Sequence, residues 1–144
     1  MRIRLLLGWQ YRNAVRDLLG EEAAAAVSPP PDTTVNGWDA IGAAQLSLSA
    51  TAIDLYEGSA QRASAVAIGN ASRATGNASL RNLILGCVPA SVDDSACMEG
   101  FVSRFGRRAW RRALAEDEVA TWAALGESAA AAYQDFYRGA AFVA

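Results

Sequence analysis

Apolar residues recur at three- and four-residue intervals along most of this chain, and no run alternates apolar with polar residues for long enough to make a half-buried strand. Leu7, Tyr11, Ala14, Val15, Leu18 and Leu19 set a first helix over 5–19, and Gly20 stands where a helix-ending glycine belongs. Glu21 to Val27 extends helical structure until Pro29-Pro30-Pro31 forces an extended segment. From there to Gly42 the pattern predicts a surface loop, with Asn36-Gly37 as a turn and Trp38 as its anchor into the core.

A second long helix is expected over 49–68, presenting Ile53, Tyr56, Ala60, Ala63 and Ala67 as a narrow face of small residues. Gly69 to Asn77 reads as a loop, and Leu80 to Leu85 as a short helical or irregular segment. Asp94 or Ser95 opens the next helix, whose buried stripe is Met98, Phe101, Val102, Phe105 and Ala109. Another begins near 115–118 and carries Val119, Trp122 and Leu125. The last runs from about Glu127 through Tyr133, Phe136, Tyr137 and Phe142. The class is all-α: an irregular helical bundle of about five or six helices with a long Pro-rich surface loop. Residues 1–68, with the loop at 28–48, form an N-terminal region and 69–144 a C-terminal one, the two packed as one unit.

Composition sharpens this picture. The chain has 144 residues, 52% hydrophobic and 19% charged, enough for one folded core. Much of the apolar fraction is alanine, which favours helix and thins the core. All 13 basic residues are arginine, against 15 acids, and the net charge of −2 exerts no global pull on nucleic acid or anionic membrane. The absence of histidine removes a Ser-His-Asp or Cys-His catalytic set, imidazole metal ligands and the Cys-x-x-Cys-His haem attachment signature from this span. No cofactor site is expected here, and a haem only elsewhere in a longer protein.

Two polar clusters remain. Arg104, Arg107, Arg108, Arg111 and Arg112 interleave with Phe105 and Trp110. At helical spacing Arg104, Arg108 and Arg111 share a face that would grip phosphate, an acidic polysaccharide or single-stranded nucleic acid. The structural alternative pairs them with Asp93, Asp94, Glu116, Asp117 and Glu118, and it is favoured because those acids are close in sequence. Arg12, Arg16 and Asp17 form the second cluster, expected as a buried ion pair tying the first helix to the rest. Trp9, Trp38, Trp110 and Trp122 are core candidates first and a sugar-stacking platform second.

Nine residues lie between Cys87 and Cys97, without Cys-x-x-Cys spacing. A structural disulfide, contributing roughly 2–3 kcal/mol through loop entropy, is the favoured reading, and two free thiols the alternative. A disulfide implies an oxidising location. The start, Met1 to Gly8, is too short in apolar residues for a signal peptide. No stretch reaches the roughly 20 apolar residues of a membrane span. The chain stops inside an apolar helical run, Gly139 to Ala144, as a fragment of a longer product would.

Three segments resemble a family of large, uncharacterised bacterial surface proteins that often carry planctomycete-type cytochrome c modules. Trp9-Gln-Tyr-Arg-Asn-Ala-Val-Arg-Asp-Leu-Leu-Gly20 is similar to its opening motif. Pro30-Pro31-Asp32 and Gly37-Trp38-Asp39, followed by Leu48-Ser49 and Tyr56, resemble its loop and next helix. Cys97 with Phe105-Gly-Arg-Arg-Ala-Trp-Arg-Arg112 resembles its downstream block. Leu7 replaces the family's helix-starting Thr, Ala113 its Pro and Ala115 its capping Thr or Ser, so the capping box with Glu118 is expected to be lost.

The resemblance implies helical domains and a periplasmic, outer-surface or secreted location, and it carries over no catalytic residue. Partners would be other domains of the same or a neighbouring polypeptide. The leading functional expectation is a non-catalytic structural or ligand-binding module of an exported protein. The alternatives are the front part of a redox-linked or polysaccharide-acting enzyme, and anion or nucleic-acid binding through Arg104–Arg112.

Overall fold

The computed structural model describes residues 5–34, 36–38, 49–69 and 78–144, and these contain seven helices and no strand. They are α1 (Gly8–Leu19), α2 (Glu21–Ala26), α3 (Ala50–Ala67), α4 (Ala78–Leu85), α5 (Ser95–Ala109), α6 (Glu116–Tyr133) and α7 (Phe136–Val143). The all-α class therefore stands, with more and shorter helices than the pattern alone suggested. Of the Pro-rich loop, 28–34 has no regular secondary structure, while Val35 and 39–48 fall outside the described residues, as do 70–77 of the second expected loop.

Three helices start where a side chain supplies an acceptor. Ser49 accepts from the Ala52 amide, Asp94 from Cys97, and Asp135 from Tyr137 and Arg138. Leu7 and Ala115 have no side-chain acceptor, so α1 and α6 lack that half of a capping box. The reciprocal half persists, because Gln10 Oε1 accepts from Leu7 N at 3.1 Å and Glu118 Oε2 from Ala115 N at 2.8 Å. The box expected to vanish with Ala115 is thus half retained. Asp32 adds a long-range cap for α1, accepting from Gly8 N at 2.8 Å.

The core gathers Val15, Leu19, Ala23 and Val27 from the first two helices, Ala63, Ala67 and Ile68 from α3, and Leu85 from α4. Met98, Phe101, Val102 and Phe105 of α5 complete it, with Phe136 and Ala140 of α7. Phe101 and Met98 are fully buried at its centre. A T-shaped contact between Tyr11 and Tyr56, 5.4 Å between ring centroids, joins α1 to α3, and partial burial raises both phenol pKa values.

Four expectations need correction. Trp38 is 66% exposed and anchors nothing in the core. Its turn instead uses left-handed backbone at Asn36 and Gly37, which directs the chain along the surface. The face α3 buries is Ser59, Ala63, Ser64 and Ala67, with Ile53 and Ala60 left exposed. That face turns towards α2, where the Ser59 hydroxyl accepts from Ser28 N at 3.1 Å. Ala109, expected in the α5 stripe, is exposed, and Gly106 takes the buried position.

The fourth correction concerns the last two helices. The break comes at Gln134, in left-handed backbone with φ 52°, and not near Glu127. Asp135 restarts the helix by capping α7. The buried stripe of α6 is Ala123, Gly126 and Ala130, while Trp122 and Leu125 face outward. Small residues win because α6 and α7 pack backbone to backbone. A Cβ placed on Gly139 would lie 2.6 Å from Ala130 Cβ and 2.8 Å from Ala130 N, with the Gly126 carbonyl also against it. One placed on Gly126 would meet Met98 Sδ at 2.8 Å.

This geometry sets a contrast between two helical glycines. Gly139→Ala should destabilise the fold by about 1–3 kcal/mol through overpacking. Gly58→Ala, whose new methyl meets only Arg62 Nη1 at 3.3 Å, at the far end of a long side chain, should be neutral or stabilising by up to about 1 kcal/mol. Urea denaturation of the two variants checks the pair; equal midpoints would contradict the crossing.

Candidate functional site

The arginine block begins on α5 and continues past its end. Because α5 stops at Ala109 and Arg111 adopts left-handed backbone with φ 54°, Arg111 does not share a helical face with Arg104 and Arg108. The five side chains have separate surroundings. Arg104 donates to the Leu85 carbonyl at the end of α4, and its guanidinium lies over Gly86, where a Cβ would stand 2.6 Å from Cζ. Gly86 is held at φ 68°, so glycine is required there both by conformation and by the arginine above it. Arg108 donates to the Asp17 carbonyl in the last turn of α1.

Arg112 forms a two-pronged pair with Glu118, at 2.7 and 2.6 Å. That pair, together with the Ala115 amide, holds the Glu118 carboxyl down at about 2 and raises the Arg112 pKa. Among the described residues, Arg107 and Arg111 have no hydrogen-bond or ion-pair partner. Of the acids considered as partners for the block, Glu118 alone among the described residues forms an ion pair with it. Asp94 caps α5 and also accepts from Ala90 N at 2.9 Å, and these backbone bonds lower its pKa. The Asp93 carboxyl is lowered by Ser91.

The block's main partners are therefore carbonyls at helix ends. A helix C-terminus leaves four carbonyls without intrahelical donors and carries about half a negative charge, so a guanidinium there satisfies an acceptor and offsets a dipole together. Arg62, which sequence reading passed over, does the same for α2: its Nε donates to the Ala26 carbonyl at 3.2 Å. Its only sequence signal is its place as the one cation of α3.

The Arg12, Arg16 and Asp17 cluster is arranged differently from expectation. All three are exposed, so no buried pair forms there. Arg16 pairs with Glu21 across the Gly20 corner at 2.5 Å and donates to Asn13 at 2.6 Å. Five residues along a bent chain bring Glu21 back over the last turn of α1, whereas Asp17, next to Arg16, points to another face. Asp17 contributes its carbonyl, not its carboxylate, to the tie between α1 and α5.

Cys87 and Cys97 stand at disulfide distance, with sulfurs 1.95 Å apart and Cα atoms 5.9 Å apart. They join the turn after α4 to the first turn of α5. On α4, Arg81 stacks on Tyr137 of α7, its Cζ 3.9 Å from the ring centroid. The tryptophans do not gather into one platform: Trp110 packs on Trp122 at 5.8 Å, while Trp9 and Trp38 are exposed elsewhere. Among the described residues no three His, Cys, Asp or Glu side chains come together as metal ligands would, and no helix is long and apolar enough to cross a membrane.

Between α1 and the end of α5 lies an open groove of about 710 Å³. Leu6, Ala14 and Leu18 make its apolar side, and Arg107, Arg108, Arg111 and Arg112 its charged side, with Asp17 at the edge.

Two outcomes test these assignments. Arg104→Gln should cost about 1 kcal/mol through the lost cap on α4, measured by urea denaturation, while Arg107→Gln should change stability by less than about 0.5 kcal/mol. Glu118 has a folded pKa below its unfolded value, so its contribution is fully present above about 4.5 and fades as pH falls towards about 2. Glu118→Gln should therefore melt below the parent protein at pH 7 and approach it as pH drops through that window. A gap independent of pH would contradict the pairing.

Residues 4–69 match the family model described as PSD3, a protein of unknown function (DUF1587), and residues 97–144 the one described as PSD5, a protein of unknown function (DUF1595). No curated protein and no solved structure matches the chain. The chain thus joins segments similar to two families of unknown function, and Arg108 in the second segment bonds the first helix of the other.

Proposed function

We propose that this chain is a non-catalytic helical module of an exported bacterial protein, in which the two family segments pack as one unit and serve a structural or ligand-binding role. The observation that carries the reading is the use of the arginines. Arg62, Arg104 and Arg108 each reach a carbonyl on another helix, across 36, 19 and 91 residues of sequence, so two arginines of the block that suggested a site, like Arg62, serve packing. The cysteine pair at disulfide distance supports an oxidising compartment. The other domains of the same or a neighbouring polypeptide are its partners.

The compartment is tested by intact mass with alkylation before and after reduction, on protein taken from its native cells. Cys87 and Cys97 should be protected together until reductant is added, and reduction should lower stability by about 2–3 kcal/mol. Two thiols that alkylate freely without reductant would refute export. Turnover of a polysaccharide or a redox substrate by this chain itself would overturn the non-catalytic part, independently of the thiol result.

A further inference from the structure

The five arginines divide into two sets. Arg104, Arg108 and Arg112 are engaged with Leu85, Asp17 and Glu118. Arg107 and Arg111 have no partner among the described residues, and both line the groove between α1 and the end of α5. Arg111 sits there at a cost, since a non-glycine residue at φ 54° occupies sparsely populated backbone. That conformation takes Arg111 off the helical path of α5, and it lines the groove together with Arg107.

We infer that this groove binds a small organic anion, with Arg107 and Arg111 holding its phosphate, sulfate or carboxylate group and Leu6, Ala14 and Leu18 supporting an apolar body. The volume, about 710 Å³, falls in the range of small-molecule sites, roughly 300–1,000 Å³. The electrostatics select for small size. Helix C-termini at α1 and α5 and the Asp17 carboxylate subtract from the arginine field, and Arg108 offsets only part of that. What remains suits one compact anionic group. A polymer with charge along its length would run off the two arginines onto a surface of net charge −2, so nucleic acid is disfavoured. The apolar wall, in turn, distinguishes an amphiphilic anion from inorganic phosphate. This site is additional to the structural role: a module that fails to bind the anion still folds and still ties its helices.

The test uses 1-naphthyl phosphate as the probe on the whole chain, by titration calorimetry, with inorganic phosphate and 1-naphthol as its two halves. Naphthyl phosphate should bind saturably, more tightly than either half, and more weakly as salt is added. Arg107→Gln/Arg111→Gln should lose about tenfold or more in affinity while keeping the parent's unfolding midpoint. Arg138→Gln, an exposed arginine on α7, should leave affinity within about twofold. The proposal is overturned if naphthol binds as well as its phosphate, if no saturable binding occurs, or if the double variant binds like the parent. A double variant that loses stability together with binding would equally overturn it, by showing the two side chains to be structural.

Discussion

Satisfying the carbonyls at helix C-termini is the constraint around which this structure is arranged. Several of the helices are short: α2 has six residues, α4 and α7 eight each. In helices of that length the four unpaired terminal carbonyls are a large share of the backbone, and water is a poor partner for those facing a neighbouring helix. Guanidinium groups meet the need because they are always charged, carry several donors in a plane and sit on long apolar stems. Arg62 reaches α2, Arg104 reaches α4 and Arg108 reaches α1, each from a later helix. The order of helices along the chain thereby becomes their arrangement in space.

The second constraint is the close crossing of α6 and α7. Gly126, Ala130 and Gly139 bring the two backbones together and leave room for Met98 of α5 between them. Dispersion between closely fitted backbones replaces the burial of large side chains. The result explains why Trp122, Leu125 and Tyr133 face outward on a helix rich in apolar residues. It also gives the alanine-rich composition a purpose beyond helix propensity: small side chains here set distance between helices.

The two constraints bear on function in opposite ways. Capping engages Arg104 and Arg108, and the Glu118 pair engages Arg112, so three of the five arginines serve packing and are not free to meet a ligand. The same engagements leave Arg107 and Arg111 as the arginines of the block without a partner among the described residues, both lining one groove, which no count of arginines along the sequence separates from the rest. A disulfide-distance pair at the α4–α5 corner fixes the Arg104 cap from the other side, because Cys87 follows the capped helix and Cys97 opens the capping one.

Sequence by itself determined the helical class, the absence of histidine chemistry, the starts of α3 and α5 at Ser49 and Asp94, the Gly20 corner and the burial of Met98, Phe101, Val102 and Phe105. Those features follow from local forces, namely propensity, capping and the 3.6-residue period, which act within a few positions. Tertiary structure alone decided which face of α3 and α6 is buried, that Trp38 stays outside, that Arg16 turns to Glu21 and that three arginines bond carbonyls on other helices. An apolar stripe starting at Val119 is equally well continued by Trp122 and Leu125 or by Ala123, Gly126 and Ala130; only the helix lying against it, carrying Gly139, makes the small set the better fit. The partner of an arginine is likewise set by which helix end it meets in space, and the order of residues holds no record of that.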